Sequence, residues 1–515
     1  MKYKNLLIYF LALIPACLLR DFTPDNELRY LSIADEALRN GSLFAFFNHG
    51  EIYADKPPLY IWIVMLGKWL FGHHSGLYLG LFSILPGLAI LYVMDRWVSG
   101  VMNNKNRLLA QFLLISTAYF IASMVVLRMD MLMNLFIVLA LQTFYKIYAG
   151  QSKKRDTWLF PVFVFLALFT KGPVGILTPL LSVFVFLLIK KQLNTFARYW
   201  GWITWLVLIA CCTLWFGAVY VEGGADYLHN LLFHQTMDRA VDAFHHKEPF
   251  YYYFVSIWYI LAPWSLLYIG MLVVALKKKA LTSDLEKFFA TVIAVTIGML
   301  SLFSSKLDIY LLPTIAFFCY LSVLLLPQLA LSKWIDWTIG FAPIVFVLAI
   351  PAAIGLILAG KVNIPSSPFV YLAMSLLFGA SIVALFQLLK KRNRYKAVSV
   401  FSTGLLAAVF IGAFVFPSIN DSIGYGALGK AGLALAQENN TTSFYSYKVR
   451  RGENIDVYIG ASPKELSDED IEQLDRIKGV LFFRVSQLEK NEHLRNQIQD
   501  KPCVTKGKYA VIYLE

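Results

Sequence analysis

The chain has 515 residues, 58% of them hydrophobic, and a mean hydropathy of +0.60, more apolar than soluble domains, which sit near half or below. Its net charge of +13 could suggest a nucleic-acid binder. The basic residues, however, cluster in short loops between apolar runs, which is the distribution of membrane topology signals and argues against nucleic acid as a partner. Of the five cysteines, Cys17, Cys211, Cys212 and Cys319 lie in apolar runs and Cys503 stands alone in the tail, so neither a disulfide framework nor a zinc-thiolate spacing is present.

Met1 to Cys17 has the look of a signal peptide, but Arg20 and Asp21 follow without a small-x-small cleavage site, so the segment reads as a retained first span. Apolar runs of spanning length fall at 5–20, 74–95, 107–126, 131–149, 158–171, 173–189, 200–220, 251–275, 288–304, 310–327, 335–358, 369–389 and 397–416, about thirteen in all. Between the first two lies Asp21 to Pro58, a polar stretch carrying Asp21, Asp25, Glu27, Asp35, Glu36, Glu51 and Asp55. Within it, Leu28 to Asn40 reads as a helix, with Asn26 as N-cap and Asn40-Gly41 as the stop. Pro58 to Gly72 is short and rich in Trp and Tyr, and reads as a helix lying at the membrane interface.

Lysines and arginines alternate along the span list. Loops around Lys2, Arg96, Lys153, Lys190, Lys277 and Lys390 read as cytoplasmic, which turns 21–58, 127–130, 171–173, 221–250, 304–309 and 359–368 outward. The expected fold class is a polytopic α-helical membrane domain over 1–416, with outer loops 21–58 and 221–250, followed by a small α/β domain at 417–515. In that tail, strands are expected at Ser443–Tyr447, Asp456–Ile459, Val480–Arg484 and Tyr509–Leu514, and helices at Leu428–Gln437, Asp468–Ile477 and Gln487–Gln499. An odd number of spans places the tail on the outer side.

The outward loops gather charge. They hold Asp25, Glu27, Asp55 and Lys56, then Arg128 and Asp130, then Lys171, then His245 and His246, and last Lys306 with Tyr310 just after it. Ionisable residues at the edge of a bilayer are costly and point to function. Together they form a cationic ring over a carboxylate loop at headgroup depth, which suits a substrate with an apolar tail and a phosphate. Plainer readings stand beside this one. Lys171 and Lys306 would snorkel to the interface. Asp55-Lys56-Pro57-Pro58 would be a helix start. Arg128 and Asp130 would pair with each other or with helix ends. Adjacent histidines are a weak metal signal, and the aromatic run 249–254 reads as an interfacial belt.

At these residues the sequence resembles the aminoarabinose lipid A transferase branch of the GT-C membrane glycosyltransferases, with the dolichyl-phosphate-mannose protein mannosyltransferases as more distant kin. The resemblance is carried by Pro24-Asp25-Asn26-Glu27-Leu28-Arg29-Tyr30, Asp55-Lys56-Pro57-Pro58-Leu59, Arg128-Met129-Asp130, Thr170-Lys171-Gly172-Pro173-Val174-Gly175 and Lys306-Leu307-Asp308-Ile309-Tyr310-Leu311-Leu312-Pro313. These fall in the family's order over roughly residues 10–330, and beyond that only the general layout matches. Asn26 is inserted where the family runs Pro-Asp-Glu, so Asp25 and Glu27 both stand for the first carboxylate. Asp308 replaces a common Pro.

The resemblance implies a sugar, 4-amino-4-deoxy-L-arabinose or a related one, carried on polyprenyl phosphate and transferred with inversion to lipid A or another envelope acceptor. The expected setting is the periplasmic side of a bacterial inner membrane. It assigns Lys56, Arg128, Lys171, Lys306 and Tyr310 to the donor phosphate, and Asp25, then Asp130, with Glu27, to the catalytic carboxylate. It also implies a divalent metal, zinc or similar, near Asp55 with His245 or His246. No other cofactor is expected, and a monomer is the simplest state. The rivals are a protein O-mannosyltransferase-like enzyme and a transporter or flippase of lipid-linked sugars. The latter is disfavoured because the two halves show no repeat and the charges lie at one surface, not at the midplane.

Overall fold

The computed structural model describes residues 3–233, 247–329, 333–361, 367–499 and 501–515. Among them, eight helices are long and apolar enough to cross a membrane, or up to ten if each bent pair is one span. Three further apolar helices, Leu59–Phe71, Val174–Ile189 and Ser265–Lys277, are shorter. The chain is a multi-pass membrane protein with a small sheet in its tail.

Several spans are broken. The 107–126 run is two helices, Asn104–Ile115 and Ala118–Val125, bent by 66°. At the break Ser116 and Thr117 turn their hydroxyls back onto carbonyls of the preceding turn, the local competition that weakens a helix. The 251–275 run divides into Tyr252–Ile260 and Ser265–Lys277, with Pro263 between them, because proline has no N–H for the ladder. Helix starts follow their caps. Ser283 accepts from the amide of Glu286 while Glu286 accepts from Ser283, a closed capping box at the head of Asp284–Leu302.

Contacts divide the chain into two compact units. The first comprises 1–17, 54–60 and 80–412, and the second 18–53, 61–79 and 413–515. In the first unit the spans pack around an aromatic centre. Trp97 meets Phe289 edge-on at 5.0 Å, and Phe186 meets Phe288 at 5.0 Å, a geometry aromatic pairs favour.

The second unit joins the first polar stretch to the tail. Asp21 accepts from the amide of Gly426 at 2.7 Å and from the Tyr458 hydroxyl at 2.9 Å. A Cβ at Gly424 would collide with the Asp21 carboxylate, so only glycine allows that approach. Ser32 donates to Asp456 at 2.7 Å, and His49 lies 3.3 Å from both Ser32 and Asn454. The expected helix here begins earlier and differently. A π-helical turn, Pro24–Leu28, runs into Arg29–Asn40, so Asn26 sits inside the turn and does not cap it. Gly41, at φ 71°, is the stop as expected.

Two short strands in this polar stretch, β1 (Phe47–Asn48) and β2 (Glu51–Ile52), form a hairpin of their own. The tail contributes β3 (Phe444–Tyr447), β4 (Lys464–Glu465), β5 (Gly479–Arg484), β6 (Cys503–Lys506) and β7 (Tyr509–Leu514). These five make one sheet in the order β4-β3-β5-β7-β6. The β3–β4 and β3–β5 pairs are parallel, and β5–β7 and β6–β7 antiparallel. Asp456–Ile459 is a helical turn and not a strand, because Gly460 closes it at φ 78°. The helix expected over 487–499 is interrupted at Asn491, which caps the second piece by accepting from Leu494.

Candidate active site

In the first unit, the turn Thr170–Gly175 is built by two residues. Gly172 takes φ 102°, a conformation that ends the helix Lys154–Lys171, and Pro173 leads into Val174–Ile189. Gly175 has no room for a side chain, since a Cβ would run into the Ala167 backbone. Lys171 is thereby held at a helix end, buried, with its Nζ 4.5 Å from the centre of the Tyr310 ring, a cation–π contact.

Lys171 also makes a very short contact with Asp130 Oδ1, while Arg128 Nε stands 3.0 Å from Asp130 Oδ2. Asp130 is the first residue of the helix Asp130–Tyr148, where the helix dipole favours a negative charge. The preceding turn is pinned by Ser83, which donates to the Val126 carbonyl at 2.7 Å. The plain reading of Arg128 and Asp130 as an ion pair thus holds, and Lys171 completes a three-membered cluster in which Asp130 and Lys171 are buried and Arg128 is partly exposed. Both carboxylate oxygens of Asp130 face a cation.

A cavity of about 380 Å³ opens beside this cluster. Its polar end carries Asp55, Lys56, Lys171 and Tyr310, and its walls include Leu168, Leu177, Trp215, Phe216, Leu300 and Phe303. A volume of that order, apolar with a few convergent polar groups, is typical of small-molecule sites. Lys56 is half-buried and its Nζ reaches the Asp55 carbonyl at 3.1 Å.

Lys306 is oriented otherwise. It is buried, and its Nζ donates to the carbonyls of Glu248 at 2.8 Å and Phe303 at 2.5 Å. Burial pushes its ammonium below the usual lysine range. The residue that departs from the family pattern, Asp308, accepts from the hydroxyls of both Tyr252 and Tyr259 at 2.6 Å. The aromatic run 249–254 therefore does more than line an interface, because Tyr252 grips the turn that carries Tyr310. The signal in the sequence was a carboxylate at the start of a spanning helix, where a charge is costly to keep.

Asp25 and Glu27 belong to the second unit. Asp25 makes a two-pronged, exposed pair with Arg450, at 2.9 and 2.7 Å. Glu27 is buried and saturated: Arg20 donates at 2.8 and 2.5 Å, and the Thr23 amide and hydroxyl at 2.8 and 2.9 Å. Such a set makes Glu27 the clasp of its own turn. His245 and His246, named with Asp55 for a metal, lie outside the described residues. Among the described residues, no group of three His, Cys, Asp or Glu side chains could hold a metal ion. The cavity walls from Trp215 and Phe216 were not anticipated, since aromatic residues inside a span carry no mark of what they face.

The model of the dolichyl-phosphate-mannose-protein mannosyltransferase family matches residues 7–233. An uncharacterized protein of Aquifex aeolicus is 28% identical over 330 residues, 63% of each chain. Undecaprenyl phosphate-alpha-4-amino-4-deoxy-L-arabinose arabinosyl transferases of Wigglesworthia glossinidia brevipalpis and Pseudomonas fluorescens are 26% and 24% identical, over 57% and 61% of this chain. The chain spans 53–63% of the length of these curated relatives. The crystal structure of ArnT from Cupriavidus metallidurans bound to undecaprenyl phosphate matches with a TM-score of 0.76 at 16% identity, covering 99% of this chain and 96% of that one. At that identity the likeness is one of fold.

Proposed function

We propose, for a chain that is an aminoarabinose-transferase-like membrane protein of GT-C fold, that it transfers a sugar from a polyprenyl-phosphate donor to a cell-envelope acceptor. The observation that carries this reading is the cavity with apolar walls and Lys56 and Lys171 at its polar end. An isoprenoid chain suits the walls and a phosphate suits the cations. In the reaction the bond between the anomeric carbon and the phosphate oxygen breaks, and its electron pair leaves with the polyprenyl phosphate. Pre-placed cations in a poorly hydrated site stabilise that growing charge.

Asp130 serves this chemistry as a positioning residue. Its two oxygens hold Lys171 and Arg128, which leaves it poorly placed to accept a proton. Asp25 remains the carboxylate proposed for the sugar or acceptor, because its pair with Arg450 is exposed and so easily displaced, unlike the buried contacts of Asp130. A phosphate acceptor is already an anion and needs no base, whereas a hydroxyl acceptor needs one.

The sugar proposed is 4-amino-4-deoxy-L-arabinose or a close relative, and the acceptor lipid A, on the periplasmic face of a bacterial inner membrane. The names of the arabinosyl transferases among its relatives support the sugar and its undecaprenyl-phosphate carrier. The mannosyltransferase family match supports the same donor chemistry with a protein hydroxyl as second acceptor. The test is mass spectrometry of lipid A and other glycolipids from a host that makes the donor but lacks its own transferase. A sugar added by the wild type, and lost in Asp25→Asn and Lys56→Ala at equal membrane levels, supports the reading. An unchanged glycolipid profile sinks the aminoarabinose–lipid A pairing.

A further inference from the structure

A second cleft, of about 690 Å³, lies in the first unit away from the cavity described above. The helix Leu312–Leu329 relates the two, since Tyr310 precedes its first turn and Leu326, in its last turn, lines the second cleft. Sixteen residues at about 1.5 Å each place the cleft roughly 24 Å further along the helix. That is close to the thickness of a hydrocarbon core, so the cleft opens at the opposite membrane surface.

Its lining is cationic. Asp336 and Arg394 neutralise each other in a two-pronged pair, with contacts of 2.6 and 3.1 Å. What remains is Lys105, Lys391 and Arg392, and among the described residues none of the three meets a carboxylate. Lys105 lies 5.5 Å from the centre of the Tyr395 ring, and Lys391 5.9 Å from that of Phe386, contacts that hold the ammonium groups without cancelling their charge. Arg392 sits at φ 50°, which turns the chain sharply between the helices Pro368–Leu389 and Arg394–Gly412 and sets two cations side by side. Asn103 and Asn393 cap the two helices that start at the cleft by accepting from Asn106 and Lys396. Leu109 and Leu326 give it an apolar floor.

We propose that this cleft binds a phosphate ester, namely the headgroup of an anionic phospholipid in the leaflet opposite the candidate active site. Basic pockets between spanning helices suit such headgroups. Three unneutralised cations suit a phosphodiester, the leucine floor suits the first carbons of its glycerol, and an opening at the membrane surface admits a lipid from the side. This inference does not depend on the transferase reading.

The test uses the purified full chain in mixed micelles of a neutral detergent and phosphatidylcholine, with melting temperature as readout. One arm adds phosphatidylglycerol, a second inorganic phosphate, and a third more phosphatidylcholine. Wild type is expected to melt higher with phosphatidylglycerol, saturably, and to be unmoved by phosphatidylcholine. In Lys105→Ala/Lys391→Ala/Arg392→Ala the half-saturation should rise about a hundredfold, at roughly fivefold per charge. Lys391→Arg, which keeps the charge, should behave as wild type. Lys391→Ala alone, weaker by about fivefold, decides the matter if the triple variant folds poorly. A shift with inorganic phosphate and none with phosphatidylglycerol overturns the lipid source. No saturable shift with either, or equal half-saturation in wild type and variants, overturns the site.

Discussion

Removing the Lys171 ammonium should destabilise the fold more than removing it together with the charge of Asp130. Asp130 is 2% exposed and the Lys171 side chain 5%, so each charge depends on the other for the solvation that water no longer supplies. Breaking a buried pair by deleting one partner costs about 3–5 kcal/mol, because the survivor is left buried and uncompensated. Lys171→Met and Asp130→Asn should each fall in that range. Independent effects would sum to about 6–10 kcal/mol in the double variant. The structure argues for far less, since the double variant buries neither charge, and Arg128, whose side chain is 26% exposed, can turn to water. The double variant should be no worse than the more damaged single, a coupling of at least about 3 kcal/mol. The assay is reversible unfolding in mixed micelles, read by circular dichroism, for wild type, both singles and the double. Additivity within about 0.5 kcal/mol would show that the two groups do not depend on each other, and the cluster as described would be wrong.

Three further outcomes follow from particular contacts. Asp308→Ala frees the hydroxyls of Tyr252 and Tyr259. It should lower stability by about 1–3 kcal/mol, with Asp308→Asn milder; a melting temperature equal to wild type in both would remove the grip assigned to this residue. Gly424→Ala drives a Cβ into the Asp21 carboxylate. It should destabilise by about 1–3 kcal/mol and be partly relieved by Asp21→Ala, as read by protease resistance of the tail; a double variant as sensitive as the sum of the singles would contradict the clash. Burial pushes the Asp456 carboxyl above the usual carboxylate range. The folded state then holds its proton longer than the unfolded state, so this group's contribution to stability is fully present below about pH 4 and is lost as pH rises through the raised value. Melting curves across pH should show that slope in wild type and a flatter one in Asp456→Asn, and identical slopes would exclude Asp456 as its source.

What the sequence disclosed depended on how local each feature is. The membrane class was legible because apolar runs of spanning length are a property of consecutive residues. The cluster at one helix end was legible because Arg128, Asp130 and Lys171 each sit in a short turn between spans, where a charge is costly to keep and so stands out. The break of 251–275 was less visible, as Pro263 lies among residues that read as continuous apolar helix. Asp456-Val457-Tyr458-Ile459 looks like a strand by residue type. It turns into a helix because Gly460 closes it and Asp456 and Tyr458 are engaged by Ser32 and Asp21. Those partners are more than 400 positions away in the chain. The same distance hid the joining of 18–53 with the tail in one compact unit, for no local pattern marks Asp21 as the acceptor of Gly426.

The charge at the candidate active site leads to one more expectation, which rests on the proposed reaction. Lys56, Arg128 and Lys171 stand against Asp55 and Asp130, an excess of one positive charge. The phosphodiester that joins the sugar to the polyprenyl chain carries one negative charge and is matched by that excess. The departing polyprenyl phosphate is a monoester whose charge at neutral pH is close to two, so the product leaves the site one negative charge over. Such a balance stabilises departure while keeping the product from binding too firmly. Asp130→Asn would raise the excess to two and match the product instead. Its effect should then be a lower KM for the donor together with a lower kcat, because product release becomes slow. Added polyprenyl phosphate should inhibit the variant more strongly than wild type. Loss of kcat with KM and product inhibition unchanged would mean that Asp130 acts on the reacting centre and not through the charge it balances.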